Sequence, residues 1–401
     1  MANTLKFGNG EWYGKKDTIL AYNDENNNYK PLPFDFSRGS SATVINKDGL
    51  IETVGSGQPR IDYKDDSKGA LLLEPSRTNS LVQSNQFDTT WSASSGMSLT
   101  SGQIGIGGSN DAWLVTRDSA YDNLYQSNSS FFTNTSTISI YAKANTYNFL
   151  RFAIAGVSEQ AYFNLVDGTL GVNTSLISSY SQDMGNGWWR LSATFQNNSA
   201  AGIYIQPVPS DGGVSVGGTG SIYIQYAQLE VGSYATSYIP TQGSVVTRLG
   251  DNTHADIPSS AAGQLEGTLY VEMNFMNNFN EYPSVYLWSG SPNNRVLIQR
   301  RGNNKFLQCQ ISKTGQSTIS LMGNTVVSDG IHKMAFTYSP NRLVGYVDGV
   351  KFDEQLGSFT TYTNELNRVD LLYNDAQAGI KDLKLYNTAL TDQELQALTS
   401  N

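Results

Sequence analysis

Short runs of alternating apolar and polar side chains, each closed by a Gly, Asn or Asp turn, constrain this 401-residue chain most. The clearest lie between residues 264 and 401. They include Leu269-Tyr270-Val271-Glu272-Met273-Asn274-Phe275, Ser284-Val285-Tyr286-Leu287-Trp288, Arg295-Val296-Leu297-Ile298-Gln299-Arg300 and His332-Lys333-Met334-Ala335-Phe336-Thr337-Tyr338. A period of two sends successive side chains to opposite faces of a strand, so these runs predict strands with a buried face. Leu343-Val344-Gly345-Tyr346-Val347-Asp348-Gly349-Val350 predicts a hairpin, because Asp-Gly tolerates the positive φ that a tight turn needs. Only the end reads as helix: Thr391 can cap Asp392 to Leu398, with Glu394 completing a capping box.

Residues 83 to 241 carry the same signal more loosely. Thr137-Ile138-Ser139-Ile140-Tyr141-Ala142, Trp188-Trp189-Arg190-Leu191-Ser192-Ala193-Thr194-Phe195 and Ser221-Ile222-Tyr223-Ile224-Gln225-Tyr226 are short strands between Gly and Asn turns, the pattern of a two-sheet sandwich. The composition agrees, with 23 Tyr, 16 Phe and 6 Trp against 26 Lys plus Arg. Aromatic residues pack well on a pleated surface, whereas Asn, Ser and Gly favour turns. The fold class expected is therefore all-β. Residues 1 to 82 are turn-rich, and Pro31 and Pro33 disfavour a central strand there. That segment is expected to need a neighbouring domain or subunit to cover its apolar clusters. Residues 242 to 259 read as a linker, with Arg248 to Asn252 and Ile257 to Ser260 as linker or a first edge strand; Asp251 and Asp256 read as solvated carboxylates against a metal-ligand alternative, and residues 260 to 401 as a block that folds alone.

Several functions are disfavoured at once. A net charge of -9 lacks the basic footprint that nucleic-acid binding needs. No run approaches 18 apolar residues, so no membrane insertion is expected. Met1-Ala2-Asn3-Thr4-Leu5-Lys6 has no apolar signal core, so the chain is expected to be made in a cytoplasm. The lone Cys309 excludes an intrachain disulfide and reads as a buried, inert thiol.

Val326-Val327-Ser328-Asp329-Gly330-Ile331-His332, the Asp348-Gly349 hairpin and Leu385-Tyr386-Asn387-Thr388-Ala389-Leu390-Thr391-Asp392-Gln393-Glu394-Leu395 resemble the concanavalin A-like, laminin-G-like lectin/glucanase superfamily. Phe36-Ser37-Arg38-Gly39-Ser40-Ser41, Pro59-Arg60-Ile61-Asp62-Tyr63, Leu71-Leu72-Leu73-Glu74-Pro75-Ser76-Arg77-Thr78-Asn79 and Ala227-Gln228-Leu229-Glu230-Val231-Gly232-Ser233-Tyr234-Ala235-Thr236-Ser237-Tyr238-Ile239-Pro240-Thr241 resemble modular tail and fibre proteins of bacteriophages. The stretch between them is similar to a carbohydrate-binding-module jelly roll. These resemblances imply tandem β-sandwiches: an N-terminal attachment segment (1–82), a binding-module-like sandwich (83–241), a linker (242–259) and a lectin-type sandwich (260–401).

They also imply a virion structural protein of tail-fibre or receptor-binding type that engages host-surface polysaccharide. The alternatives are a capsid decoration, head fibre or adaptor that binds other virion proteins, and, third, a polysaccharide hydrolase. The glucan-hydrolysing members carry paired carboxylates on one strand in an E-x-D-x-x-E type pattern, and none is found here; Glu272 stands alone on its run. The expectation is therefore no enzyme. Loop aromatics that could stack on sugar are Tyr282, Trp288 and Tyr373, with Asn374 as a hydroxyl partner; the opposing reading for each aromatic is core or framework. No cofactor is required. Calcium takes oxygen ligands, and Asp211 and Asp375 are its candidates against the reading of solvated acidic loops. A homotrimer is expected, partly from the fibre resemblance and partly because Val44-Ile45, Leu50-Ile51 and Leu71-Leu72-Leu73 need a surface to cover them.

Overall fold

The computed structural model describes residues 2–25, 28–118, 122–127, 135–196, 202–214, 218–276, 281–302, 304–372 and 376–400. Strands dominate these residues, and the helix Asp392–Thr399 is the one α-helix among them. The chain divides into two compact units. The first combines Met1–Asp48, Glu52–Ser76 and Leu249–Asn401; the second is Gly49–Ile51 with Arg77–Arg248.

The second unit is a sandwich of two six-stranded antiparallel sheets. In one, Thr135–Ala144 pairs with both Trp188–Gln196 and Gly220–Val231. In the other, Phe149–Ile154 lies between Gln160–Asn164 and Gly202–Val208. Alternation sends Ile138, Ile140 and Ala142 from the first sheet, and Leu150, Phe152, Ile203 and Ile205 from the second, into one core.

The first unit is also a β-sandwich, and residues from both ends of the chain build it. One arm runs Val350–Leu356, Arg342–Val347, Gly330–Tyr338, Gly267–Phe275, Ala378–Tyr386. Its last strand pairs with Leu5–Gly8, and Leu5–Gly8 with Thr18–Glu25. The other arm continues through Asn28–Ser37, Asn252–Asp256, Arg368–Leu371, Ser284–Trp288, Arg295–Arg300 and Phe306–Ser312. Val271, Phe336 and Leu383 from one arm share a single core with Phe34, Leu287, Val296 and Val369 from the other. Cys309 is buried in this core, and burial pushes its thiol well above the usual range.

This arrangement corrects two expectations. Residues 1–76 are not a domain apart from the C-terminal sandwich: Leu5, Phe7, Ile19, Phe34, Phe36, Leu71 and Leu73 lie in the core that residues 249–401 complete, the neighbour this segment was expected to need. Asn252–Asp256 is not linker, since it hydrogen-bonds to a strand on each side. Of the apolar clusters that motivated a trimer, Val44, Leu71, Leu72 and Leu73 are buried within the chain, whereas Leu50 is exposed. Pro31 and Pro33 do sit in a strand, Asn28–Ser37. There the strand pairs on one side only, because Asn252–Asp256 joins it no earlier than Asp35. A missing N–H costs nothing along such an edge.

The stretches that carry the phage resemblance converge on buried polar framework. Arg38, Arg60, Glu74 and Asp251 form a fully buried ion cluster in the first unit. Arg38 Nη1 lies 3.0 Å from Asp251 Oδ1, Arg60 Nη1 lies 2.7 Å from Glu74 Oε2, and Arg60 Nη2 bonds the second Asp251 oxygen. Remaining donors reach carbonyls: Arg38 to Gly55 and Gln58, Arg60 to Thr43. Burial lowers the Arg60 pKa, but Asp251 and Glu74 outweigh it and hold the guanidinium charged. Asp251 is therefore a core counter-ion and not a solvated linker carboxylate. In the second unit, Glu230 Oε1 accepts from Thr236 N–H and from the Gln228 amide, each at 2.8 Å, and Oε2 accepts from Thr236 Oγ1 at 2.7 Å. The Glu230 carboxylate thus folds the segment that follows it.

At the chain end, Thr391 and Glu394 form the expected capping box. Leu395 packs with Tyr270, Val344, Tyr346 and Tyr386, and Leu398 lies against the same cluster. The Val347–Val350 hairpin turns through Asp348 at φ 47° and Gly349 at φ 79°, both in the left-handed region. A Cβ on Gly349 would also come within 2.8 Å of Ser400 Oγ. Gly349→Val is expected to destabilise the first unit by about 1–3 kcal/mol, read as a lower urea midpoint with an unchanged slope. An unchanged midpoint would refute the strain at this turn.

Candidate ligand site

Two clefts of the first unit are formed in part by the segment Lys6 to Tyr13. Leu5 and Phe7 point into the core and leave Lys6 on the outer face. The chain then turns at Asn9 and Gly10 with positive φ, pinned by Asn9 N–H donating to Lys381 O at 2.6 Å. Trp12 fastens the far side of the turn. Its indole N–H donates to Lys68 O at 2.8 Å, and its ring stands edge-on to Phe7 at 5.5 Å. Tyr13, next along, is left 52% exposed.

The larger cleft, about 410 Å³, is lined by Asn3, Lys6, Glu11, Tyr13, Tyr22 and Tyr29. In Thr18–Glu25, Ile19 and Ala21 face the core, so Tyr22 is carried outward. Tyr13 and Tyr22 meet edge to face at 6.1 Å. Tyr29, 39% exposed on Asn28–Ser37, donates its hydroxyl to Asn3. Burial and then Asp24 raise its pKa, so the phenol keeps its proton at neutral pH. Lys6 and Glu11 form an ion pair at 3.1 Å, and both remain partly exposed. The cleft thus offers aromatic faces with ammonium, carboxylate and amide groups beside them, and its size falls in the usual range for small-ligand sites.

The smaller cleft, about 250 Å³, is polar. Lys381 lies at its centre, with its ammonium 2.9 Å from both Asp66 Oδ2 and Glu272 Oε1. Burial lowers the Lys381 pKa, and the hydrogen bonds to Asp66 and Glu272 more than reverse this. The sequence left Glu272 alone; the fold brings Asp66 to it from a distant loop. Held by one ammonium, the two oxygens lie at most about 6 Å apart, a limit that admits the roughly 5 Å spacing of a retaining glycosidase pair. A general acid, however, needs a raised pKa. Burial raises that of Asp66, but the Lys381 ammonium and the Lys68 N–H prevail and hold it below the usual range. This pair is therefore suited to holding Lys381 in place, and Asp66 is not suited to donating a proton.

The residues expected to bind ligand fall elsewhere. Trp288 is not a loop aromatic: it is buried in a strand, packed on Tyr286 at 5.3 Å, with its indole N–H bonded to Asp370. Alternation alone does not show that both faces of Ser284–Trp288 are covered. Tyr282 is half-buried just before that strand. Tyr373, Asn374 and Asp375 lie outside the described residues. Asp211 belongs to the second unit, where its Oδ1 accepts from Val172 N–H at 2.7 Å and ties a loop to a neighbouring strand. Among the described residues, no group of three or more His, Cys, Asp or Glu is gathered as metal ligands. Tyr13, Tyr22 and Tyr29 were missed because the prolines hid the strand Asn28–Ser37. Had its pairing with Thr18–Glu25 been read, Tyr22 would have stood out as a ring on the outer face.

No family model matches the chain, and no curated protein does. Among solved structures, it is similar to the CBM40 of Ruminococcus gnavus IT-sialidase, at 13% identity and a TM-score of 0.32, over 36% of this chain and 92% of that one. The same module bound to α2,3-sialyllactose aligns at 14% identity and TM-score 0.32, over 36% and 86%. The binding domain of botulinum neurotoxin DC in complex with SialylT aligns at 12% identity and TM-score 0.32, over 37% of this chain and 39% of that one.

Proposed function

We propose that this chain is a non-enzymatic glycan-binding protein of receptor-binding type, and that Tyr13, Tyr22 and Tyr29 form its sugar platform. The observation that carries this reading is the open cleft of about 410 Å³ in which these rings sit beside Lys6, Glu11 and Asn3. Sugars present apolar C–H faces and a rim of hydroxyls, and a site of exposed rings with nearby donors and acceptors matches both. The absence of catalysis is supported by the Asp66–Glu272 pair, whose carboxylates are bonded to Lys381. A place in a phage tail or fibre, virion partners and a trimeric state rest on the sequence resemblance alone.

A glycan array probed with the full chain, followed by titration calorimetry on the strongest ligand, tests the proposal. Tyr13→Ala is expected to weaken binding at least tenfold, or about 1.4 kcal/mol. Tyr180→Ala, which removes an exposed tyrosine of the second unit, should change it little. No array signal, or a ligand bound equally well by Tyr13→Ala and Tyr29→Ala, would overturn the assignment.

A further inference from the structure

The tyrosine cleft of the first unit keeps its acceptors freer than its donors. The cation among its lining residues is Lys6, whose ammonium is turned to Glu11 at 3.1 Å. Lys384, the strand partner of Lys6, is turned to Asp382 and lies over the Tyr270 ring at 4.8 Å. Tyr29 has a single hydroxyl proton and gives it to Asn3. Glu11, by contrast, stays 57% exposed against 42% for Lys6. Asp24 lies across from Tyr29 in the paired strands, and its Oδ1 finds no hydrogen-bond partner among the described residues. After burial, Asp24 is the cause that raises the Tyr29 pKa, so its charge reaches that ring.

The rings decide between a cationic and an anionic ligand. The Tyr13 and Tyr22 planes stand at 86° with centroids 6.1 Å apart, and Tyr29 is 39% exposed in the same cleft. A ring face is the negative end of the aromatic quadrupole, so it attracts an ammonium and repels a carboxylate. An exposed ion pair such as Lys6–Glu11 is worth little, so a ligand ammonium can replace Lys6 on Glu11 at small cost. A ligand carboxylate can replace Glu11 on Lys6 as cheaply. It would then lie against ring faces and near Asp24, on a chain of net charge -9.

We infer that this cleft selects saccharides that carry a protonated amine, such as unacetylated hexosamines, over neutral and acidic ones. The inference rests on the cleft being a glycan site and adds which glycans it takes. A protonated amine brings three N–H donors, which Glu11 and the Asn3 carbonyl oxygens can accept, and sets its charge against the tyrosine rings. N-acetylation removes that charge, and a uronic acid reverses it.

Titration calorimetry of the full chain with three oligosaccharides of equal length tests this: oligoglucosamine, its N-acetylated form and a uronic-acid oligomer. The free amine should bind about tenfold tighter than the N-acetylated form, the joint effect of an exposed cation–π contact and an exposed ion pair. The uronic acid should bind weakest. Glu11→Gln should lower the ratio of amine to acetamide affinity about threefold. Glu11 is exposed, so this variant should keep the wild-type circular dichroism. Raising the pH through the pKa of the ligand amine should erase the advantage, while the N-acetylated form binds as before. Equal affinity for the amine and acetamide forms, tighter binding of the uronic acid, or an unchanged ratio in Glu11→Gln would overturn the inference. So would binding of none of the three when the glycan array has given a ligand that depends on Tyr13. An array without any signal would instead sink the tyrosine platform, and this inference with it.

Discussion

Asp251→Ala is expected to destabilise the first unit by about 3–5 kcal/mol, the cost of removing one partner from a fully buried ion pair. The Asp251 carboxylate serves both Arg38 and Arg60, and its Oδ2 also accepts from Glu74 N–H at 2.9 Å. Glu74 alone cannot satisfy two guanidiniums. Such a cost is a large part of the 5–15 kcal/mol by which a domain is ordinarily stable. Asp256→Ala, five positions away at an exposed site, should stay within about 0.5 kcal/mol. Urea unfolding followed by tryptophan fluorescence compares them. Equal midpoints for the two variants would show that the cluster does not hold residues 38, 60, 74 and 251 together.

The second large effect concerns which pieces fold alone. Residues 249–401 without residues 1–76 lose Leu5, Phe7, Ile19, Phe34, Phe36, Leu71 and Leu73 from their core. At 1.5–3 kcal/mol per buried side chain the loss is on the order of 10–20 kcal/mol, more than a domain can give up. That fragment should be unfolded or aggregated, and so should residues 260–401. Excising residues 77–248 should leave a folded unit instead. Ser76 N would lie only 3.1 Å from a Cβ on Gly250, and Asp251 N–H donates to Glu74 O at 2.9 Å, so a short Gly linker can join the ends. Residues 77–248 should also fold alone, since Arg77 pairs directly with Arg248 and the two ends meet in a β-bridge. Amide NMR spectra of the four pieces decide the matter. A dispersed spectrum from residues 249–401 alone would contradict the shared core.

The strand periodicity, the Asp348-Gly349 turn and the Thr391 cap were legible because each depends on a few neighbouring residues. A period of two, a positive φ and a capping box act over two to four positions. The tyrosine cleft was not legible. Tyr13, Tyr22 and Tyr29 come together through the pairing of Thr18–Glu25 with Asn28–Ser37 and with Leu5–Gly8, and the two prolines of Asn28–Ser37 hid the first of these pairings. No local pattern announces the meeting of Asp66 with Glu272 at Lys381, which joins positions far apart in the chain.

The sequence by itself determined that the chain is of the all-β class, with two separately periodic blocks and a terminal helix. Its resemblance stretches also marked the residues of the buried polar framework, although not what they do there. The tertiary structure decided which segments share a core. A strand's hydrogen bonds and its apolar face specify that it must have neighbours but not which neighbours, so the N-terminal strands could be assigned to the C-terminal sandwich only once the pairing was seen. It also decided the role of Asp251: an aspartate beside Gly and Asn reads as solvated until two arginines, from 213 and 191 positions away, are found against it.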